Sequence, residues 1–317
     1  MKHLTLRQLR VFTAVARHLS FSGAARALHL TQPVVSMQVR QLEEQAGLPL
    51  FERAGRRIQL TEAGRELLRT AGAVSDLMRE ADESLRALKG VAGGELHIGV
   101  VSTAKYFAPK LLAEFRRLHP RVTLRLTVSN REAMVRGLDE NTVDLVIMGR
   151  APRGLDTVAV PFARHPLAVV AAPDHPLARK RRAPLSRLKD ETFIIRESGS
   201  GTRAAMEHVF AECGFRPRET LEMSSNETIK QAVMAGMGVS FLSQHTVGLE
   251  RAAGRIAVLD VAGTPVMRDW FVIHREKKRL SPAAAAFKSF LLERGAALIE
   301  QAVGSGKRVP SRAVLAD

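Results

Sequence analysis

Three polar residues, Gln32, Ser36 and Arg40, recur at a spacing of four within the segment HLTQPVVSMQVRQLEEQAG. This spacing places their side chains on one face of an α-helix. The opposite side carries the apolar stripe of a core-facing helix: Val35, Val39 and Leu42. Gln, Ser and Arg side chains hydrogen-bond to base edges and to phosphates. The polar face therefore either contacts nucleic acid or is an ordinary solvated surface. The neighbouring elements help to decide between these two interpretations.

Helix start and stop signals surround this segment. Thr31 is placed to cap it, and Pro33 lies in its first turn, where proline is favoured. Before it, a helical pattern runs from Leu6 to about His18, and Ser22 is expected to cap a short second helix. Two helices joined by a tight turn, the second with a polar outer face, form a helix-turn-helix that places the second helix in the DNA major groove.

A basic hairpin-like segment, PLFERAGRRIQL, follows the second helix of this motif. Its arginines surround the turn, so it is placed as a wing along the DNA backbone or in the minor groove. Residues 1–60 carry nine Lys and Arg against three Glu, which favours DNA binding over a solvated face. The predicted DNA-binding residues are Thr31, Gln32, Pro33, Ser36, Arg40, Arg53, Arg56 and Arg57.

The composition sets wider bounds on the protein. The chain has 317 residues, 45% of them hydrophobic, which predicts two or three folded domains. Its 48 Lys and Arg against 32 Asp and Glu give a net charge of +16, which favours nucleic acid, anionic membranes or acidic ligands as partners. Cys213 is the single cysteine, and neither a signal peptide nor a long apolar run is evident. We expect a cytoplasmic protein without contact to a membrane.

A long helix is predicted from Thr61 to about residue 90, with apolar residues alternating at spacings of four and three. Such a heptad seam with charged flanks is typical of a coiled coil between two subunits, whereas a helix on its own core usually shows a wider apolar face. A dimer would present two recognition helices to inverted half-sites in DNA. The predicted dimerisation residues are Leu67, Ala71, Val74, Met78, Ala81, Leu85 and Leu88.

Beyond Gly94 the pattern changes to short strands alternating with helices, which predicts an α/β domain of two subdomains with mostly parallel sheets. The basic stretch DHPLARKRRAPLSRLKD is expected to be a surface loop, and its role at residues 179–189 is left open. The strand candidates are Glu95–Val101, Thr123–Val128, Asp144–Gly149, Leu167–Ala172, Thr192–Glu197, Gly238–Ser243 and Asp269–Arg275.

The residues that follow two of the predicted strands suggest a binding site for an anion in a cleft between the two subdomains. Ser102 and Thr103 end the first strand just before a helix, where the helix dipole favours negative charge. The loop ESGSGTR (Glu197 to Arg203) repeats this arrangement, and its glycines allow close approach of backbone N–H groups. Taken alone, such a loop is better explained as an ordinary turn, and it is the pair of loops across a cleft that favours an anion. Cationic side chains expected near the cleft are Lys105, Arg150 and Arg203.

No residue set predicts catalysis or a metal site. The ten histidines are scattered, and the pairs His165-Pro166 and His175-Pro176 are interpreted as turns. We therefore expect no enzyme, no catalytic residue and no metal. A DNA-bending protein that responds to no metabolite is the remaining alternative to a ligand-responsive regulator.

The segment LRQLRVFTAVARHLSFSGAARALHLTQPVVSMQVRQLEEQAGLPLFER, followed by LTEAGRELL, resembles the winged helix-turn-helix and linker helix of LysR-type transcriptional regulators. The rest of the chain to about Gly304 resembles their effector domain. VSTAKYFAPKLLAEFRRLHP and VSNREAMVRGLDENTVDLVIMGRAP are similar to the branch of this family that controls Calvin-cycle carbon-fixation operons. A regulator of another metabolic operon with a carboxylate effector is the alternative.

The resemblance implies a multidomain architecture: an all-α winged helix-turn-helix (1–60), a linker and dimerisation helix (61–90), and an α/β effector domain of two periplasmic-binding-protein-like lobes (91–304). Lobe I comprises 91–163 and 266–304, lobe II 164–265, and a disordered tail covers 305–317. The implied effector site combines the first-strand pair, the loop after the second strand, the third strand end and the second-lobe loop: Ser102, Thr103, Lys105, Ser129, Asn130, Arg150, Ser200, Gly201, Thr202 and Arg203.

The resemblance also implies the ligand and the partners. No resident cofactor is expected, but the effector would be a phosphorylated sugar, phosphoenolpyruvate or a nicotinamide dinucleotide phosphate. The expected partners are double-stranded operator DNA, a second copy of the chain and RNA polymerase. The operator sequence, the direction of regulation, and the choice between dimers and tetramers are not encoded in any motif of this chain.

Overall fold

The computed structural model describes residues 4–54, 57–88 and 93–303, with backbone alone at residues 54, 57, 76, 79, 80 and 82–88. The predictions for Arg56 and for the tail 305–317 lie outside the described residues. The chain forms two compact units. One comprises Met1–Val91 with Asp139–Thr142, and the other comprises Ala92–Leu138 with Val143–Asp317.

The first unit begins with three short helices: α1 (Leu6–His18), α2 (Phe21–Leu28) and α3 (Gln32–Ala46). A capping box starts α1, in which Thr5 and Gln8 each accept a hydrogen bond from the other's backbone N–H. The hydroxyl of Ser20 caps α2 by accepting from the N–H of Gly23 at 3.1 Å. The prediction that Ser22 caps this helix is wrong, because Ser20 is the residue with the extended backbone that an N-cap requires.

The predicted wing is confirmed as an antiparallel hairpin of β1 (Phe51–Ala54) and β2 (Arg57–Leu60). One carboxylate oxygen of Glu43 on α3 accepts from the N–H of Leu50 at 2.8 Å and from that of Phe51 at 3.2 Å. The start of the wing is therefore fixed to α3 by a charge-assisted contact.

The predicted long helix is confirmed as α4 (Glu62–Leu88), with Thr61 accepting from the N–H of Gly64 at 3.0 Å. Leu67 and Ala71, however, are only 5% and 2% exposed and pack in one core with Leu9 and Phe12 of α1. Their assignment to a seam with a second subunit is corrected, because the first turns of α4 already bury this face within their own unit.

The rest of the seam has a different environment. Val74 packs partly against the same core, whereas Met78 is 54% exposed and Ala81 is exposed. The side chains of Leu85 and Leu88 lie outside the described residues. The exposed apolar residues of α4 remain candidates for contact with a second copy.

The described residues of the second unit contain nine strands. All seven predicted strands are present, while β8 and β10 were not predicted, because the exposed sequence ETLEM of β8 has no apolar run and β10 has only two residues. The strands are β3 (Gly94–Val101), β4 (Val122–Ser129), β5 (Leu145–Met148), β6 (Thr157–Ala171), β7 (Thr192–Arg196), β8 (Glu219–Met223), β9 (Val239–Ser243), β10 (Ala257–Val258) and β11 (Val266–Arg275).

In the part of this unit that the structure describes, six α-helices alternate with the strands. Short 3-10 turns follow β3 at Ala104–Tyr106 and β9 at Gln244–Thr246, and a third precedes β7 at Leu185–Leu188. No helix in the described part of the chain is long and apolar enough to cross a membrane. The helices are α5 (Ala108–Leu118), α6 (Arg131–Asp139), α7 (Gly201–Glu212), α8 (Asn226–Met234), α9 (Gly248–Ala252) and α10 (Pro282–Val303).

The strands form one sheet in the order β4-β3-β5-β11-β6-β9-β7-β8, with β10 paired to β6. β3 pairs in parallel with β4 and β5, and β7 with β8 and β9, as expected for two α/β lobes. The expectation of mostly parallel sheets is corrected for the centre, because β6 and β11 are antiparallel to each other and to their outer neighbours β9 and β5.

Two separate hydrophobic regions define two lobes on this sheet. The first lobe packs α5 and α10 on β3, β5 and β11, around Phe115, Phe287 and Trp270. The second lobe has cores on both faces of β7 and β9, one around Phe193 and Phe241 and one around Ile194 and Leu242. Strand β6 contributes Phe162 to the first lobe and Leu167 to the second, so its backbone connects the lobes.

Candidate DNA-binding face and cavity between the lobes

The polar face of α3 is assembled as the sequence predicts. The Nε2 of Gln32 donates to the Oγ of Ser36 at 2.8 Å, and the Nε of Arg40 donates to Glu44 at 3.2 Å. The side chain of Arg40 is 83% exposed, and Gln32 is exposed as well. These contacts are with solvent-facing neighbours, so the side chains are available to exchange them for contacts to DNA.

The start of α3 offers hydrogen-bond donors to an anion. Thr31 is its N-cap, with extended backbone, and its side chain makes no capping hydrogen bond. Pro33 lies in the first turn and is exposed. The first N–H groups of a helix lack intrahelical partners, so this terminus can bind a phosphate oxygen with Thr31 beside it.

The wing adds positive charge next to this helix. Arg53 is exposed on β1, and the register places it opposite Ile58 of β2. Arg57 is described by its backbone alone and pairs with Ala54 at the turn end of the hairpin. The helix and the hairpin are parts of the same unit, as a winged helix-turn-helix requires.

A cavity of about 620 Å³ lies between the two lobes of the second unit, where loops follow the carboxyl ends of β3, β5 and β7. Ligands of α/β proteins bind at such strand ends. Most of the predicted effector residues line this cavity: Ser102, Thr103, Asn130, Arg150, Ser200, Gly201, Thr202 and Arg203.

Two predicted effector residues, Lys105 and Ser129, are not among the residues that line this cavity. The ammonium of Lys105 pairs with Glu227 at 2.6 Å, and the hydroxyl of Tyr106 donates to the same carboxylate at 2.7 Å. The carbonyl of Ser129 accepts from the N–H of Ser102 at 2.8 Å. Lys105 links the lobes through Glu227 on α8, and Ser129 supports the loop of Ser102. Their place in the effector site stays a prediction.

The glycine-containing loop after β7 approaches the first lobe closely. Gly199 has φ +80°, and a Cβ at this position would lie 2.8 Å from a carboxylate oxygen of Glu132. The positive φ favours glycine here, whereas the exposed carboxylate of Glu132 can move aside for a Cβ. Ser200 then caps α7 by accepting from the N–H of Arg203, which leaves the first turn of α7 facing the cavity.

Arginine dominates the charge of the cavity, and sequence reasoning missed five of its arginines: Arg131, Arg136, Arg153, Arg196 and Arg268. Arg196 is only 3% exposed and donates to Asn226 at 2.7 Å, to Glu197 and, across the lobes, to the hydroxyl of Ser102 at 3.1 Å. Arg131 directly follows Asn130, so attention to strand ends could have found it. Arg268 lies within a central strand, where no strand-end signal points to it.

His165, which lines the cavity, belongs to a stack of aromatic rings. The imidazole of His165 lies against the indole of Trp270, with ring centroids 3.8 Å apart, and the indole N–H donates to the Nδ1 of His245 at 3.0 Å. Burial, with the neighbouring His245 and Arg268, lowers the pKa of His165 well below its usual value, and burial lowers that of His245 to about 4. Both imidazoles are thus neutral near pH 7.

The interpretation of His165-Pro166 as a turn is wrong, because both residues lie within the long strand β6, opposite Arg268 and Met267. Pro166 lies just before Leu167, the first residue of β6 in the described register with β9. His175-Pro176, in contrast, does lie in a turn. Across the described ranges, no three His, Cys, Asp or Glu residues are grouped as a metal site would require.

A winged helix-turn-helix followed by a two-lobed α/β unit with an arginine-lined cavity is the architecture of a DNA-binding regulator with a small-molecule domain. The chain belongs to the LysR family. Residues 6–65 match the bacterial regulatory helix-turn-helix protein model of the lysR family, and residues 89–296 match the LysR substrate binding domain.

Known relatives agree with this assignment. The chain is 53% identical to the RuBisCO operon transcriptional regulator of Allochromatium vinosum over 93% of its own length and 97% of the relative. The CcmR regulatory domain of Synechocystis PCC6803, solved with 2-PG, is 41% identical at a TM-score of 0.61, covering 63% of this chain and 96% of that one. Full-length CbnR, a LysR family regulator solved with its target DNA, is 27% identical at a TM-score of 0.62, covering 92% and 100%.

These matches confirm the resemblance to LysR-type regulators and to the branch named for carbon fixation. The chain is a DNA-binding transcriptional regulator with a small-molecule domain. The prediction that it is not an enzyme is also confirmed, because the relatives are transcriptional regulators.

Proposed function

We propose that this protein regulates transcription of a carbon-fixation operon, and that a phosphorylated carboxylate of the 2-phosphoglycolate class binds between its lobes and alters operator binding. The observation that carries the effector proposal is the cavity itself, which is lined by seven arginines against two glutamates. A site with this excess of cations is suited to a multiply charged anion. A relative with 41% identity has been solved with 2-PG.

The polar face of α3 supports operator recognition. Gln32, Ser36 and Arg40 are adjacent on one exposed face, and Thr31 caps the helix that would enter the major groove. In the proposed complex, Gln32 and Ser36 contact base edges, while Thr31, Pro33 and Arg40 lie against the phosphate backbone. The wing, with Arg53, Arg56 and Arg57, adds contacts to the backbone.

Self-association is part of the proposal. Leu77 and Met78 leave apolar surface on α4, with exposed fractions of 65% and 54%. Two copies joined along this helix would present two α3 helices to inverted half-sites, and dimers could pair further into tetramers. Because the regulator must reach chromosomal DNA and RNA polymerase, we place it in the cytoplasm.

The loops that carry Thr103 in one lobe and Thr202 in the other are proposed to contact the ligand through their hydroxyl groups. Thr103 and Thr202 are 5% and 6% exposed, line the cavity and belong to opposite lobes. A ligand that contacts both stabilises one arrangement of the lobes and thereby shifts DNA binding, by no more than its difference in affinity between the two arrangements.

The chain provides its own probe for effector binding. It contains a single tryptophan, Trp270, and its indole stacks on His165, which lines the cavity. We expect 2-phosphoglycolate to change the fluorescence of Trp270 in a saturable manner and to shift the protected region of the operator in a footprint. Saturable binding of an unphosphorylated dicarboxylate instead, with no response to 2-phosphoglycolate, would indicate a regulator of another metabolic operon. A footprint unaffected by any anion that binds would contradict the proposed switch.

A further inference from the structure

The seven arginines of the cavity differ in whether a carboxylate neutralises them. Three have carboxylate partners: Arg136 pairs with Glu132 at 3.0 Å, Arg196 with Glu197 at 2.7 Å, and Arg203 with Glu207 at 2.8 Å. Within the described part of the chain, Arg131, Arg150, Arg153 and Arg268 have no carboxylate within ion-pair distance, and Arg131 donates only to the carbonyl of Ala151, at 2.9 Å. The cavity therefore contains cations that the protein itself leaves without counter-charge.

Three of these unpaired arginines act on one another. Burial lowers the pKa of Arg131 and of Arg268, and the positive charge of Arg150 lowers both further. Arg131 also lowers the pKa of Arg268. We call Arg131, Arg150 and Arg268 the arginine triad. Converging like charges without a counter-ion are unfavourable in a partly buried site, and an anion bound among them would remove that cost.

Three different elements bring the triad together in the first lobe. Arg131 begins α6, Arg150 follows β5, and Arg268 lies on β11. The side chain of Arg131 also approaches the loop after β7, since a Cβ on Gly201 would lie 3.3 Å from its Cδ. Arg131 therefore lies beside the first turn of α7, and all three triad residues line the same cavity as that turn.

A buried imidazole beside the triad is a second, independent feature of this wall. His165 pairs with Arg268 in the register of β6 and β11, is 5% exposed, and lines the cavity. Neither of its ring nitrogens has a hydrogen-bond partner in the described structure. Buried polar groups are ordinarily hydrogen-bonded, so the unpartnered imidazole is a second uncompensated group beside the unpaired arginines.

We propose that Arg131, Arg150 and Arg268 form the phosphate subsite of the effector cavity, while Thr103 and Thr202 hold the remainder of the ligand. The assignment rests on the proposed function. Guanidinium groups bind phosphate oxygens in bidentate fashion, and a phosphate dianion offsets more of the triad's charge than a carboxylate does. The neutral loops, whose donors are hydroxyls and N–H groups, suit the less charged end of the ligand.

The test compares two anions on the full-length protein. Calorimetry measures the affinity for 2-phosphoglycolate, and competition with 2-phosphoglycolate measures the affinity for inorganic phosphate. Both are measured for the parent protein and for Arg268→Gln, Arg150→Gln, Arg136→Gln and Thr103→Val. Arg136 is the matched control, because it lines the same cavity but is already paired with Glu132. Arg150 is exposed, so its variant keeps the test valid if Arg268→Gln does not fold.

We expect each triad variant to lose tenfold or more in affinity for both anions, and Arg136→Gln to stay within threefold of the parent. Thr103→Val should weaken 2-phosphoglycolate but change inorganic phosphate by less than threefold. The triad assignment is overturned if Thr103→Val weakens inorganic phosphate more than the triad variants do, or if millimolar phosphate fails to compete in the parent. Absence of any 2-phosphoglycolate binding by the parent would instead refute the proposed effector, and the triad assignment with it.

Discussion

Replacing Gln32 by alanine tests whether this side chain recognises bases, separately from the contribution of α3 to folding and to non-specific DNA binding. The side chain is exposed, and its one described contact is the hydrogen bond to Ser36 at 2.8 Å, a pair four residues apart on the helix surface. Such a pair contributes a few tenths of a kcal/mol to the helix, so the free energy of unfolding should change by less than about 0.5 kcal/mol.

The expected loss on operator DNA is larger. A good base contact contributes roughly 1–3 kcal/mol of discrimination, which corresponds to about 5- to 150-fold in affinity. Gln32→Ala should therefore weaken operator binding by that factor and leave binding to random DNA nearly unchanged, because phosphate contacts supply the latter.

The assay measures both affinities at one salt concentration, on an operator selected from a random library with the parent protein. Gln41→Ala is the matched control, because Gln41 is an exposed glutamine on the same helix, about half a turn away from Gln32 in angle. Equal losses on operator and random DNA would refute base readout by Gln32. An equal effect of Gln41→Ala would show that the helix itself, rather than the predicted face, had been disturbed.

Three further outcomes are expected. Leu67→Ala should lower the free energy of unfolding of the first unit by about 2–5 kcal/mol in urea titrations, because Leu67 is 5% exposed. Met78→Glu should leave that free energy nearly unchanged and weaken self-association in sedimentation. Equal destabilisation by both variants would contradict the two environments of α4. His245, whose pKa is lowered to about 4, binds fewer protons in the folded than in the unfolded state between about pH 4 and 6.5. The free energy of unfolding should therefore fall by about 2 kcal/mol from pH 7 to pH 5, and His165 acts in the same direction. A free energy of unfolding that does not change with pH, measured by Trp270 fluorescence, would refute this. Arg53→Ala should reduce the slope of log affinity against log salt by about one on any DNA, and an unchanged slope would place Arg53 outside the interface.

The sequence by itself determined most of the elements and the strand-end part of the candidate site. Caps, prolines and 3.6-residue periodicity are local signals, so α1, α3, α4 and the hairpin could be predicted from neighbouring residues. The strand ends carrying Ser102, Thr103 and Thr202 were predicted for the same reason, since a strand followed by a helix is visible in short windows.

Only the tertiary structure decided which surfaces meet. An apolar stripe on α4 looks the same whether α1 or a second subunit covers it, and burial of Leu67 and Ala71 assigned those positions to their own unit. Likewise Lys105 lies three residues beyond Ser102 in the chain, but its ammonium binds Glu227, which is 122 residues away. Arg131, Arg150 and Arg268 come together because β11 returns to the first lobe from the far end of the chain. Their convergence depends on the register of β11 beside β5 and β6, and pairing between distant strands leaves no mark in the local pattern of residues.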